Sequence, residues 1–358
     1  MKICVYAISK NEEKFVERWA KSMKEADAIY VLDTGSTDNT VKKLKENGVI
    51  VKQKIINPWR FDNARNESLK LVPDDIDICV CTDLDEIFES GWRKKLEEAW
   101  QDNTTRARYN YNWSLNDKNE PLVNFYIEKI HSRKNYYWTH PVHEILETKE
   151  KENFITLDNI TLNHYPDSSK SRSSYLPLLE LSVKENPEDD RNMHYLGREY
   201  MYNKRWEESI KILKKHLSLK SATWKAERAA SMRFISRCYK NLNDYENALI
   251  WIDKAIIETP NLREPLLEKA LLTFELKNYQ ETEKNCLKAL RIKKHPKSYI
   301  NEPFCWNETV YDILSLCNYY QQKYDYAIYF IEIALEYNKG NERLLNNKKI
   351  FEERLFQK

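Results

Sequence analysis

The amino-acid sequence predicts two domains of different class: an α/β domain with a mostly parallel sheet, then an all-α domain of repeated helix pairs. Three observations carry this expectation. Up to about residue 100, short apolar runs alternate with amphipathic helical patterns. From Ser171 onward every pattern is helical, and small residues recur at repeat-like offsets. A chain of 358 residues also exceeds the size of one ordinary hydrophobic core. The expected domains are residues 1–170 and 171–358.

In the first domain, Ile3 to Ile8 is rich in β-formers and reads as a strand. A helical pattern follows, with Phe15, Val16, Trp19 and Met23 on one face. Ala28 to Leu32 reads as a second strand, and Thr37 to Glu46 as a helix closed by Gly48 at its C-terminal cap. Val49 to Ile56 is a third strand, Asn63 to Leu71 a helix stopping before Pro73, and Ile76 to Cys81 a fourth, buried strand. That βαβαβαβ order implies parallel strands with right-handed crossovers. From Arg106 to about Tyr165 the pattern turns to aromatic-rich strands. Val123 to Ile130 and Phe154 to Leu162 are expected to complete the sheet and wall a site.

In the second domain the recurring anchors are Gly197–Tyr200–Ser209, Ser236–Tyr239–Ala248–Ala255–Pro260, Ala270–Thr282–Ala289 and Ser315–Ala327–Ala334. The second set has the offsets of the tetratricopeptide pattern, so each unit is expected to be a helix pair that buries its face on its neighbours. An ordinary helical bundle is the alternative.

Composition removes several function classes. With 41% hydrophobic residues, 23 Tyr and 10 Trp, the chain is not disordered. Charges nearly cancel to +2 without a long block of one sign, which disfavours nucleic acid and membrane surfaces as partners. Five glycines cannot build a glycine-rich phosphate loop, which excludes the dinucleotide fingerprint and the Walker loop. Seven cysteines without a C-x-x-C pair read as reduced thiols. The apolar stretch in MKICVYAISKNEE is too short for a secretory signal, and no run reaches the ~18 apolar residues of a membrane span. A cytoplasmic protein is expected. Low glycine with abundant Lys, Asn and Ile suggests an AT-rich genome, bacterial or phage.

The chemistry concentrates in three polar clusters, each at the carboxyl end of an expected strand: Ser9-Lys10-Asn11-Glu12-Glu13, Asp33-Thr34-Gly35-Ser36-Thr37-Asp38 and Asp83-Leu84-Asp85-Glu86. Ligands of open α/β sheets bind at that edge, near the switch in strand order. Asp83 and Asp85 can present oxygens to one hard cation, or to a cation and a ribose. Asp33 can accept hydrogen bonds from a base or ribose, Gly35 allows close backbone approach, and Ser36 or Thr37 caps the helix. Arg65 can fork onto a diphosphate. His143 and His164 are candidate metal or diphosphate ligands, against the commoner structural role of a lone histidine. His143-Glu144 does not complete H-E-x-x-H, which excludes a zinc protease. Trp59, Trp113 and Tyr136-Tyr137-Trp138 can be sugar platforms or core.

In order, SKNEE, DTGSTDNT, FDNARN and TDLDE resemble the family 2 glycosyltransferases of the GT-A fold. More narrowly, the chain is similar to a bacterial subgroup with tetratricopeptide repeats after the catalytic domain. The likeness continues through Val142-His143-Glu144 and His164-Tyr165 into the helical half. It implies a Rossmann-like GT-A head and inverting transfer of a hexose or N-acetylhexosamine from a UDP-sugar, assisted by Mn²⁺ or Mg²⁺. By resemblance, Asp33 binds the nucleoside, Asp83 the ribose or metal, Asp85 the metal and Arg65 the diphosphate, with Ser9, Asn11, Glu12, Gly35, Ser36 and Leu84 lining the donor site. The family's usual E-D pair is missing, and Glu144 is the candidate base. The subgroup implies a peptide or protein acceptor held by the repeats, with a surface glycan as the alternative. A non-catalytic repeat scaffold is the second class of function, disfavoured by the presence of Asp33, Arg65, Asp83 and Asp85. A nucleotidyltransferase would want a glycine-rich basic loop where SKNEE stands. Oligomeric state is left open.

Overall fold

A computed structural model describes residues 1–167 and 173–357. The chain forms two compact units, Met1–Lys184 with Lys297–Tyr299, and Glu185–Pro296 with Ile300–Lys358. The expected boundary at 170/171 lies outside the described residues.

The first unit runs β1 (Ile3–Ser9), α1 (Val16–Met23), β2 (Ala28–Asp33), α2 (Thr40–Glu46), β3 (Ile50–Gln53), α3 (Phe61–Leu69), β4 (Ile78–Cys81), β5 (Glu86–Phe88), α4 (Trp92–Ala99), β6 (Arg106–Leu115), β7 (Pro121–Ser132), β8 (Tyr136–Thr139), β9 (Ile145–Thr148), β10 (Phe154–His164) and α5 (Tyr175–Glu185). Eight strands make one sheet in the order β3-β2-β1-β4-β7-β6-β10-β5, and β8 and β9 pair separately as an antiparallel hairpin. β3, β2, β1 and β4 are parallel, whereas β7 is antiparallel to both β4 and β6. Strand order therefore reverses at β1/β4, where an open α/β sheet leaves a crevice beyond its strand ends.

Local chemistry explains these elements. Both faces of β1 are covered, so ICVYAIS reads as one apolar run. Trp19 on α1 is fully buried and donates its indole N–H to Thr82 Oγ1 at 3.1 Å, fixing that helix to the end of β4. Gly48 takes φ +80° and closes α2 with bonds from Gly48 N to Lys45 O and from Val49 N to Leu44 O, the Schellman pattern. Three expectations need correction. α2 starts at Thr40 rather than Thr37, because neither Ser36 nor Thr37 caps it: Ser36 bonds Asp33, Thr37 bonds Asn11, and Asp38 Oδ1 accepts from Thr40 N at 3.0 Å. β3 is shorter than Val49 to Ile56, since Ile55 beyond its end is exposed. α3 begins at Phe61, whose N–H is taken by Pro141 O.

A polar chain threads one side of this sheet. His131 Nδ1–H donates to Ser132 O at 2.7 Å, Tyr6 O–H donates to His131 Nε2 at 2.8 Å, and Trp138 Nε1–H donates to Tyr6 Oη at 2.9 Å. This direction of donation requires a neutral imidazole, and burial pushes the His131 pKa down to about 3.

The second unit comprises α6 (Asp190–Tyr202), α7 (Trp206–Ser218), α8 (Lys225–Asn241), α9 (Tyr245–Glu258), α10 (Arg263–Glu275), α11 (Tyr279–Arg291), α12 (Thr309–Tyr320), α13 (Tyr324–Tyr337) and α14 (Glu342–Phe356). Residues 292–308 are irregular apart from the 3-10 turn Pro303–Cys305, which corrects the expectation of helix throughout. Four helix pairs share one turn. Lys204, Asn243, Lys277 and Gln322 each adopt φ near +60°, and the next N–H returns to the preceding helix: Arg205 to Tyr200 O, Asp244 to Tyr239 O, Asn278 to Thr273 O and Lys323 to Asn318 O, all at 2.9 Å. An aromatic residue then opens the second helix each time, at Trp206, Tyr245, Tyr279 and Tyr324. The small anchors mark where paired helices cross. Ser209 Oγ donates to Gly197 O, and Ser236 Oγ to Ala248 O, both at 2.7 Å. This recurring geometry is a tetratricopeptide-like array.

Two predictions follow from the packing. A Cβ at Gly197 would stand 2.3 Å from Leu213 Cδ2, whereas one at Gly340 would meet nothing within 4 Å. Gly197→Val is expected to cost about 3 kcal/mol in a denaturant titration, and Gly340→Ala less than about 0.5 kcal/mol. Because the folded-state pKa of His131 is depressed, its contribution is present above the unfolded value of 6.5 and is lost as pH falls from there toward about 3. Stability curves should fall by up to about 1.4 kcal/mol per pH unit for this group in that window, with a shallower fall in His131→Gln.

Candidate active site

The crevice beyond β1, β2 and β4 gathers the three polar clusters. Asp33 ends β2 beside Ser9, is fully buried, and organises two loops at once. Its Oδ1 accepts from the backbone N–H groups of Gly35 (3.2 Å) and Ser36 (3.0 Å), and its Oδ2 from the hydroxyls of Ser9 (3.0 Å) and Ser36. Asn11, at φ +55°, donates its N–H to Ser36 Oγ and accepts from Thr37 N at 2.7 Å. Glu12 donates its N–H to Thr40 Oγ1 at 2.7 Å. Gly35 takes φ +113°, and a Cβ there would meet Ile55 Cδ1 at 2.6 Å, so the turn requires glycine. The first two clusters are thus zipped into one rigid rim.

The third cluster is built around two cations, the buried Arg65 and the part-buried Lys129. Asp83 follows β4 and receives Arg65 Nη2 on both oxygens at 2.8 and 3.1 Å, and Lys129 Nζ at 3.1 Å. Burial opposes its ionisation, but the two cations outweigh that and hold its carboxyl well below the usual range. Arg65, on α3, is only 3% exposed. Its Nε donates to Glu144, its Nη1 to Cys81 Sγ at 3.4 Å, and its guanidinium lies over the Trp138 ring at 5.2 Å. Lys129, on β7, also donates to Glu86 Oε1 at 3.2 Å, while Glu86 Oε2 accepts from Asp83 N at 2.9 Å. Burial raises the Glu86 pKa; Lys129 works against the shift, and Asp83 and Asp85 add to it.

Asp85 faces the last strand. Its Oδ2 lies 3.3 Å from His164 Nε2, and its carbonyl accepts from Tyr165 N at 2.8 Å. His164 Nδ1–H donates to Trp113 O at 2.9 Å, which aims Nε2 at Asp85, and the Trp113 ring stacks on the imidazole at 6.4 Å. The oxygen and nitrogen are spaced like adjacent ligands of one divalent ion with bonds of about 2.1 Å. A carboxylate with an imidazole suits Mn²⁺ or Mg²⁺, the former better for its tolerance of nitrogen. The residues present therefore fit such an ion.

Other expected residues are placed differently. Leu84 buries its side chain in the core, so it anchors the Asp83–Asp85 turn from beneath. His143, at φ +52°, packs edge-on against Tyr175 at 5.9 Å. Trp138 and Tyr136 are core, while Tyr137 and Trp113 are part-exposed. Lys129 was not singled out from the sequence. Its only signal there is a lone lysine in the apolar-aromatic run FYIEKIH. Two cavities of about 630 and 530 Å³, one against Asn66 and Arg133 and the other among Asn110, Asn112, Asn124 and Asn163, are lined by no residue of the three polar clusters.

A switch-point crevice rimmed by acidic turns lies where open α/β sheets bind their ligands. Residues 4–148 match the family model of glycosyl transferase family 2, so the N-terminal domain is a family 2 glycosyltransferase domain. Solved structures similar to the chain fall in two groups. A tetratricopeptide repeat protein from Parabacteroides merdae is 17% identical over 51% of this chain and 66% of its own, with a TM-score of 0.40. The protein MamA is 15% identical over 48% of this chain and 85% of its own, at 0.37. Glucosyl-3-phosphoglycerate synthase from Mycobacterium tuberculosis, solved with Mn²⁺, uridine diphosphate and glucosyl-3-phosphoglycerate, is 24% identical over 31% of this chain and 44% of its own, at 0.27. No curated protein matches the chain. No helix among the described residues is long and apolar enough to cross a membrane.

Removing Lys129 would leave Asp83 and the buried Glu86 facing each other with one cation fewer. Lys129→Met is expected to cost roughly 2–3 kcal/mol, below the range for a wholly buried pair because Asp83 is part-exposed. Urea titrations of the two proteins measure it.

Proposed function

We propose that the chain is an inverting glycosyltransferase that moves a hexose or N-acetylhexosamine from a UDP-sugar to an acceptor, with residues 1–170 as catalytic domain and 171–358 as acceptor-binding array. The observation that carries this reading is the pair of carboxylates, Asp83 and Asp85, held at the switch point with a cation-bearing wall behind one and His164 against the other. The family 2 match over residues 4–148 supports the reaction class.

Asp85 and His164 would hold a Mn²⁺ or Mg²⁺ ion, which supplies charge neutralisation of the departing diphosphate. The remaining roles belong to the chain itself. The rim of Ser9, Asn11, Glu12, Asp33, Gly35 and Ser36 receives the nucleoside through groups already fixed in place, so little ordering accompanies binding. Asp83 faces the ribose with its charge assured by Arg65 and Lys129. Arg65 adds positive potential next to the diphosphate, and Leu84 keeps the turn rigid. Glu144 is the base: Oε1 is held by Arg65, and Oε2 takes no hydrogen bond from the described residues. The acceptor proton passes to that oxygen as the acceptor attacks the anomeric carbon, and the sugar–phosphate C–O bond breaks on the opposite face. His143, on the turn that carries Glu144, contributes to the same wall.

A peptide or protein side chain is the preferred acceptor, because arrays of helix pairs present extended concave surfaces. A surface glycan is the other outcome of an acceptor screen.

A thermal-shift series with UDP-sugars, with and without Mn²⁺, tests the reading. Ligand at 100 times its Kd adds about 2.7 kcal/mol to the native state, so one UDP-sugar should raise Tm by a few degrees in a Mn²⁺-dependent way. Asp85→Ala should abolish the shift and lower turnover by roughly 10³. Full Mn²⁺-dependent turnover in that variant would remove the assignment. Glu144→Gln should lower kcat while leaving the donor shift intact.

A further inference from the structure

The helical unit holds a second cluster of chemistry-bearing side chains, used by nothing above. Asp190 lies in the first turn of α6, His216 in the last turn of α7 and Glu227 in the first turn of α8. Each offers one ligand atom, and the three atoms lie within 4.8 Å of one another. The antiparallel course of the three helices brings the C-terminus of α7 beside the N-termini of α6 and α8. Three consecutive helices thus meet at one point.

His216 is the independent observation. The residue is fully buried, and its Nε2 stands 3.5 Å from Glu227 Oε1 without a hydrogen bond from any described residue. Its other nitrogen is accounted for, because Nδ1 lies 3.0 Å from Ser231 Oγ. Ser231 Oγ also lies 2.7 Å from Nδ1 of His194. One hydroxyl carries one proton, so Ser231 donates to one ring and accepts from the other. When it donates to His216, Nε2 carries the ring proton toward Glu227; when it donates to His194, His216 must give Nδ1–H to Ser231, and the lone pair of His216 Nε2 then points at two carboxylates. A lone pair facing anions is repulsive unless a cation stands between them. This is how a ligating histidine is held by the donor on its second nitrogen.

We propose that Asp190, His216 and Glu227 bind one divalent transition cation of the Zn²⁺ class, with Ser231 as the residue that positions the imidazole. Imidazole with two carboxylates selects Zn²⁺ over the harder Mg²⁺ and Ca²⁺, which favour all-oxygen sets. A spacing of up to 4.8 Å exceeds the roughly 3.3 Å ligand–ligand edge of a tetrahedral zinc site. Binding therefore draws the ligands inward, and Asp190, the one half-exposed member, has the freedom to move and leaves a side open for a water ligand. Closing this site ties α6, α7 and α8 together, so its role is to stiffen the first helix pairs of the array.

The test uses the full chain, stripped with a chelator and titrated with Zn²⁺ alone in a calorimeter, with Co²⁺ visible absorption to report nitrogen and oxygen coordination. The wild-type chain and Asp85→Ala should both bind one equivalent of Zn²⁺ at the helical site, separating it from any ion at Asp85. Asp190→Asn, Glu227→Gln and His216→Gln should each weaken that equivalent by tenfold or more and lose the Zn²⁺-induced rise in Tm. Circular dichroism checks that each variant is folded, and Asp190→Asn, at the half-exposed position, keeps the test open if the buried variants fail to fold. The proposal is overturned if Asp190→Asn binds Zn²⁺ as tightly as the wild type, or if the only bound equivalent disappears with Asp85→Ala.

Discussion

The first unit depends above all on one buried guanidinium. Arg65 is shut away from water at 3% exposure, and a charge there persists only if its donors are matched. They are: Asp83 takes one edge, Glu144 another, and the Cys81 sulfur and Trp138 ring take what remains. Through these contacts α3, the end of β4 and the turn at Glu144 become one piece. Trp138 then carries the connection inward, since its indole N–H donates to Tyr6, which donates to His131. The polar chain runs from the crevice to the middle of the sheet with each donor paired, so movement at the crevice is coupled to the core. Lys129 completes the arrangement from the β7 side by holding Asp83 and Glu86 together.

Such a site is assembled before any ligand arrives. Arg65 and Lys129 hold the Asp83 carboxylate in place, His164 faces Asp85, and the rim around Asp33 is fixed by reciprocal side-chain-to-backbone bonds. Preorganisation of this kind reduces the ordering cost of binding and, for a transferase, the reorganisation at the moment of reaction. The helical unit uses a different economy. One turn geometry, with a left-handed residue and a returning 2.9 Å bond, is repeated four times, and the small anchors let the paired helices approach closely.

Much of this was legible in the residues. Strands β1, β2 and β4 are short, apolar and bounded by polar turns, so their ends and the three clusters could be placed from the pattern alone. The anchors from Gly197 to Ala334 were legible because close helix crossings admit only small side chains. What stayed hidden depends on distant partners. Lys129 reads as a surface lysine until β7 is laid beside β4, which puts it against Asp83 and Glu86. The three-residue β5 exists only because β10 pairs with it. Ser36 and Thr37 look like helix caps, yet bonds to Asp33 and Asn11 outcompete the helix for them. Glu144 could be named as a base, but its tie to Arg65 could not be seen across 79 positions.

The most direct test of the central claim is a crystal structure of the chain with UDP and Mn²⁺. The account requires the uridine against the Asp33–Ser36 rim, and the ion within about 2.1–2.3 Å of both Asp85 and His164 and of a diphosphate oxygen. Nucleotide bound elsewhere, or Mn²⁺ held without Asp85, would contradict it.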